Sequence, residues 1–266
     1  MGSSSSKETK EKMVKNDPNL TTGQNKELSE KSESSICEIK TNDGYGTGFI
    51  CTLKYPDKNT KNVCLITNYH VITEDMINYK ENIEIILNKE NKKIDLMKER
   101  RIWMDEKIDY TIIELLKEDN ISQNIKKSFD IYDNCYNYNY NKNNYDKKYI
   151  VIAAISITKE IKIGQGILYT KAEEVEDNKY IFFHDYNTDE GYSGGPIILK
   201  QDLSIMGIHR GAHKEKKLNL GIYFADVIND MKQKKCYISK KKEIKINESY
   251  STFDEMSVSS QGKKMK

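Results

Sequence analysis

Only three of the 266 residues are proline and one is tryptophan, and no apolar run approaches the roughly 20 residues that a membrane-spanning helix needs. A spanning helix is thereby excluded. The N-terminus lacks a signal-peptide core, so secretion is not expected. An excess of one charge is missing as well: 43 Lys and Arg stand against 41 Asp and Glu, and a net +2 gives no overall basic bias toward nucleic acid. The five cysteines, Cys37, Cys51, Cys64, Cys135 and Cys236, form no CxxC pair and no metal-ligand spacing with the four histidines. Reduced thiols in an intracellular, cytoplasmic protein are expected, with no bound metal and no cofactor. At 37% hydrophobic and 32% charged residues, the chain has the composition of a globular protein large enough for a two-barrel domain with short tails.

The start, Met1-Gly2-Ser3-Ser4-Ser5-Ser6, fits an N-myristoylation pattern with Gly2 as acceptor; it fits equally a cloning remnant or a plain Ser-rich arm. Residues 1–33 are polar, charged and almost free of aromatics, and disorder is expected there. One acyl chain holds a protein to a membrane only marginally, so attachment to the cytoplasmic face of a membrane would need a second signal. Lys7, Lys10, Lys12 and Lys15, and the polar basic tail at 236–266 with Lys240-Lys241-Lys242, are candidates; the plain alternative is solvated charge.

From Ser35 short apolar runs alternate with Gly, Asn, Asp and Lys, the pattern of an all-β domain with hairpin turns. A first barrel is expected over about 34–118, from strands at 36–40, 47–53, 62–66, 83–87, 93–96 and 110–115, with Thr73 capping a helical turn. Residues 119–148 contain a Tyr/Asn tract and read as a linker or surface insertion. A second barrel is expected over 149–223, with Gly164 and Gly166 at a bend or bulge. Phe224, Val227, Ile228 and Met231 carry helical spacing over 224–235.

Asp189-Glu190-Gly191-Tyr192-Ser193-Gly194-Gly195-Pro196 precedes the apolar run Ile197-Ile198-Leu199. A serine hydroxyl is a poor nucleophile near neutral pH, so it needs a base and a group that orients the base. His70 ends the run from Val63, and Asp109 begins the run to Ile113, as expected where rigid strands carry a site. Gly191 and Gly194 let the backbone fold tightly around Ser193, so that the N–H groups of Gly191 and Ser193 can share an oxyanion site.

Gly46-Thr47-Gly48-Phe49-Ile50, Thr67-Asn68-x-His70, Ile108-Asp109-Tyr110, Gly191-Tyr192-Ser193-Gly194-Gly195-Pro196 and Gly207-Ile208-His209 resemble, in order and spacing, the chymotrypsin-like serine peptidases. The closer resemblance is to the disulfide-free branch with the glutamyl endopeptidases and the Deg/HtrA-type proteases, and it covers about 34–235. It implies two six-stranded antiparallel β-barrels, a C-terminal helix and a serine endopeptidase with His70, Asp109 and Ser193 as triad and an acyl-enzyme intermediate. It also implies a pocket for an acidic side chain at Thr188 and His209, with Arg210 near it, and a substrate-pairing edge at Arg210, Gly211 and Ala212. His209 as a satisfied strand histidine is the competing reading. His184 and His213 receive no role. Tyr192 stands where the digestive enzymes carry the aspartate of their zymogen switch, so that switch should be absent. The expected partner is a protein or peptide substrate, and no nucleic acid; the alternatives are a silent protease fold that binds peptides and a membrane-tethered adaptor.

Overall fold

The computed structural model describes residues 19–41, 44–55, 59–79, 82–137, 140–170, 179–213 and 217–234, and the backbone of Tyr237–Ile238. Gly2, the basic tails and Cys236 lie outside the described residues.

Two β units account for most of the structure. The first runs β1 (Ile36–Thr41), β2 (Gly44–Lys54), β3 (Lys61–Thr67), β4 (Ile83–Leu87), β5 (Glu90–Ile94), β6 (Arg101–Asp105) and β7 (Tyr110–Glu114), joined by a late strand, β14 (Tyr237–Ile238). Its ladder order is β14-β6-β7-β3-β2-β1-β4-β5. Eight strands therefore stand where six were expected. The additions are β6, whose apolar residues Ile102 and Trp103 follow a charged run, and β14. The second unit is a closed six-stranded barrel in the order β10-β13-β12-β11-β8-β9. It is built from β8 (Tyr149–Ile155), β9 (Ile161–Tyr169), β10 (Ile181–His184), β11 (Pro196–Leu199), β12 (Ser204–Ala212) and β13 (Asn219–Tyr223). Closure comes from Phe183 and His184 of β10 pairing with Tyr169 and Leu168 of β9.

β-Branched residues explain both units. In β8 and β11 every residue but Tyr149 is buried, so these strands read as continuous apolar runs rather than alternating ones. A shared core joins the units: Phe49, Ile66, Tyr110 and Ile112 of the first and Val151, Ala153 and Ile208 of the second belong to one buried cluster. The expected helix forms as α3 (Phe224–Gln233) and buries Phe224, Val227, Ile228 and Met231 in the same cluster. The hydroxyl of Tyr110 donates to Asp230 Oδ2 at 2.7 Å and ties this helix to the first unit. The short helix α2 (Glu74–Asn78) is capped by Thr73 as expected.

Three expectations need correction. Residues 22–35, which by composition read as mostly disordered, form helix α1 (Thr22–Ser35), with a capping box in which Thr21 and Gln24 satisfy each other's backbone N–H groups. Its apolar content is low, but Leu20 and Leu28 are buried in the shared core, and Gln24 Nε2 donates to the Lys200 carbonyl at 3.1 Å. The described residues of 119–148 are more than a linker or surface insertion. Phe129, Ile131 and Cys135 are buried in the shared core, and Tyr140 stacks on buried Tyr145 at 5.0 Å.

Gly164 and Gly166 occupy no bulge, since β9 pairs with β8 in unbroken register from Ile161 to Ile167. They make room for Tyr186: a Cβ on Gly164 would run into its ring, and one on Gly166 would lie 2.9 Å from its Cβ. Gly164→Ala should therefore destabilise the fold by about 1–3 kcal/mol, read as a lower urea midpoint. An unchanged midpoint would show that the Tyr186 ring moves aside freely.

Candidate active site

The apolar run of β3 ends at Thr67, and the chain turns through Asn68 and Tyr69 to present His70 at the surface, its side chain 47% exposed. Asp109 precedes β7 and is nearly buried, its side chain 6% exposed. Its φ is +72°, a left-handed conformation that aspartate tolerates better than most residues. Two hydrogen bonds fix that turn: Asp109 N–H donates to the Asp105 carbonyl at 2.8 Å, and Asn68 Nδ2 donates to the Asp109 carbonyl at 3.0 Å. The carboxylate meets His70 twice. Oδ1 accepts the His70 backbone N–H at 3.1 Å, and Nδ1 of the ring lies 3.0 Å from both oxygens.

Ser193 sits in a loop anchored to the first unit. Thr47 N–H donates to the Ser193 carbonyl at 2.8 Å, and the Thr47 hydroxyl donates to the Gly191 carbonyl at 2.6 Å while accepting Ile155 N–H at 2.9 Å. Gly191 has φ +88° and a would-be Cβ only 2.5 Å from the Tyr45 ring, so a side chain is excluded by both conformation and space. Among the described residues, neither Gly191 N–H nor Ser193 N–H donates to a carbonyl. Two such donors are available for an oxyanion. A cleft of about 200 Å³ is lined by His70, Gly191, Ser193, Tyr45, Val71 and Met76 among others. In this structure the Ser193 hydroxyl donates to the Arg210 carbonyl at 3.1 Å.

The residues expected around an acidic side chain are arranged differently from the expectation. The Thr188 hydroxyl donates to Asn219 Oδ1 at 2.9 Å, and Asn219 Nδ2 donates to the Tyr186 carbonyl at 2.5 Å. His209 is buried, 1% exposed, with Nδ1 3.1 Å from Nε2 of buried His184. Burial lowers the His209 pKa to about 3 and that of His184 well below the usual range. Both rings are therefore neutral near pH 7, and His209 offers a neutral donor rather than a positive charge. Arg210 is not a pocket cation: its Nε donates to Asp109 Oδ2 at 3.1 Å. Gly211 and Ala212 pair with Leu220 and Asn219 of β13, and the β11 ladder ends at Ile208, so among the described residues no strand pairs with the other edge of 210–212.

His184 is the site neighbour that sequence reasoning passes over; its contact depends on the register across β13, where His184 faces Asn219 and His209 faces Gly221. His213 makes an ordinary turn bond, its N–H donating to the Leu218 carbonyl at 3.0 Å. Tyr192 is buried, with its ring 6.4 Å from Tyr186 and 6.5 Å from His209, and carries no carboxylate for a zymogen pair. Cys37, Cys51, Cys64 and Cys135 are buried free thiols whose pKa values burial raises, to about 12 for Cys37. Among the described residues no group of His, Cys, Asp and Glu is arranged to hold a metal ion.

No family model matches the sequence, and no curated protein matches it. Solved structures do. The active form of the Rv3671c protease from M. tuberculosis is 13% identical, with 80% of this chain and 86% of that chain covered and a TM-score of 0.54. A serine endoprotease from Yersinia pestis is 14% identical, over 81% of this chain and 67% of that chain, at a TM-score of 0.53. The serine protease domain of the Sesbania mosaic virus polyprotein is 20% identical, over 74% of this chain and 92% of that chain, at a TM-score of 0.51. The fold is that of the trypsin/chymotrypsin-like serine proteases.

Proposed function

We propose that the protein is a serine endopeptidase acting through Ser193, His70 and Asp109. The observation that carries this reading is the 3.0 Å contact of His70 Nδ1 with a nearly buried carboxylate, at the edge of the cleft that Ser193 lines. Nδ1–H donating to Asp109 leaves Nε2 unprotonated, the state a general base needs. Ser193 Oγ must swing from the Arg210 carbonyl toward that nitrogen, give it the hydroxyl proton and attack the substrate carbonyl. His70 then passes that proton to the leaving amine as the C–N bond breaks and the acyl-enzyme forms, and water, deprotonated by His70 in turn, attacks the ester to release the acid and restore Ser193. Gly191 and Ser193 N–H groups hold the oxyanion, each worth about 3 kcal/mol in comparable sites.

A substrate adding as a strand to Arg210, Gly211 and Ala212 competes for the carbonyl that holds the Ser193 hydroxyl, which frees the nucleophile as the substrate docks. Preference for an acidic residue before the scissile bond would rest on neutral donors. Among the described residues, His184 Nδ1 is buried with no hydrogen-bond partner. A lone acceptor is tolerated there better than a lone N–H, so His184 Nε2 donates to His209 Nδ1 and His209 carries its proton on Nε2. That N–H is the donor for a carboxylate, and the Thr188 hydroxyl joins it only by giving up its bond to Asn219 Oδ1.

The resting position of Ser193 also fits a silent peptide-binding fold. A mixed peptide library, read by mass spectrometry with the Ser193→Ala variant beside it, separates the two. Serine-dependent cuts after Glu or Asp are expected. Serine-dependent cuts elsewhere would remove the pocket assignment, and no cuts beside an active control protease would leave the binding module.

A further inference from the structure

Arg210 does not follow the alternation of its strand. In the β12–β13 ladder His209 faces Gly221 and the next pair is Gly211 with Leu220, so Arg210 is the extra residue of a β-bulge. A bulge frees one residue's carbonyl and side chain from the ladder and re-aims both, and such bulges are common beside sites. Here the freed carbonyl accepts the Ser193 hydroxyl at 3.1 Å, and the side chain reaches the other unit, where Nε lies 3.1 Å from Asp109 Oδ2. The guanidinium is partly sheltered, its side chain 32% exposed, against 6% for Asp109.

We propose that Arg210 is a positioning residue of the triad, holding the Asp109 carboxylate so that both oxygens face His70; this rests on the endopeptidase reading above. Of the two oxygens, Oδ1 is fixed by the His70 backbone N–H and Oδ2 by Arg210. Without the second anchor the carboxylate can turn about its χ2 bond, since that torsion is broad, and the imidazole loses its fixed orientation. The contact also links β12 of the second unit to the turn before β7 of the first. Arg210 is thus a clamp across the cleft as well as a partner for a nearly buried charge. Among the described residues no other cation is seen on Asp109: His209 on the same strand is neutral, and Lys159, above the Tyr45 ring at 4.0 Å, pairs with Glu38.

The test compares the full chain with Arg210→Gln and Arg210→Lys, using folding midpoints as a control. Arg210→Gln should lower kcat about 10- to 100-fold with KM within about twofold, and Arg210→Lys should recover most of the loss through its charge. A raised KM at constant kcat, or a lost preference at the cleavage site, would overturn the proposal and return Arg210 to the pocket; so would unchanged kinetics. A readout free of catalysis is the downfield proton resonance of His70 Nδ1–H, expected to move or broaden in Arg210→Gln. If the parent cleaves nothing and this resonance still responds to Arg210, the endopeptidase reading fails and the clamp stands. If the resonance does not respond, the clamp fails whatever the activity.

Discussion

Cleavage should fall by about 10⁶ in kcat for Ser193→Ala and by about 10⁴ for Asp109→Asn, with little change in KM for either. The two losses have different causes. Alanine removes the nucleophile outright, and what remains is catalysis by bound water and the oxyanion donors. Asparagine keeps the shape of Asp109 but puts an NH₂ group opposite His70. Nδ1 sits 3.0 Å from both carboxylate oxygens, so an amide nitrogen on that side would favour the tautomer with its proton on Nε2. The base would then have no lone pair toward Ser193. The Asn68–Asp109 bond at 3.0 Å is untouched by the swap, so the left-handed turn should hold; the amide nitrogen, however, meets either the His70 backbone N–H or Arg210 Nε, so the folding midpoint should fall. Steady-state kinetics on the best library peptide measures both. Asp109→Asn at near-parental rates would mean that His70 is oriented by its other contacts and that the triad assignment is wrong.

His70, Asp109 and Ser193 are legible in the sequence because each adjoins an apolar, β-branched run or a glycine-rich turn, and those patterns are local. The second barrel is legible for the same reason. What escapes depends on partners distant in sequence. Helix α1 carries few apolar residues, and only the tertiary burial of Leu20 and Leu28 makes it worth forming, although Thr21 and Gln24 do spell a capping box. Gly164 and Gly166 look like punctuation but serve a ring some 20 residues on in the chain, which no neighbour of theirs announces. Arg210 reads as a pocket residue because it follows His209; a bulge that appears only when β12 meets β13 turns it to Asp109. Tyr132, Tyr140 and Tyr145 sit in a tract that reads as an insertion by composition, yet their rings pack against one another and, through Tyr140 at 5.8 Å from Tyr223, against the second unit.

The buried histidine pair has the second large consequence, and it appears in stability rather than turnover. His209 and His184 carry pKa values lowered by burial, to about 3 and well below 6.5 respectively, while the unfolded chain protonates them near 6.5. Below that value the unfolded state binds protons that the folded state refuses. Stability is therefore fully present above about pH 6.5 and falls as pH drops toward the folded pKa values. Between pH 6.5 and 5 the loss from His209 alone, whose folded value of about 3 lies below the window, should be about 1–2 kcal/mol, and His184 adds to it in the same direction. Most carboxylates have not begun to titrate in that window. Urea midpoints at intervals of half a pH unit measure the slope, and His184→Phe/His209→Gln should flatten it. A parent flat from 6.5 to 5, or a double variant with the slope intact, would place the protons elsewhere. The same physics bears on specificity: a ring that stays neutral at pH 5 selects a carboxylate by donated hydrogen bonds alone. Any preference for Glu or Asp in folded protein should then survive that pH range as long as the substrate side chain stays ionised.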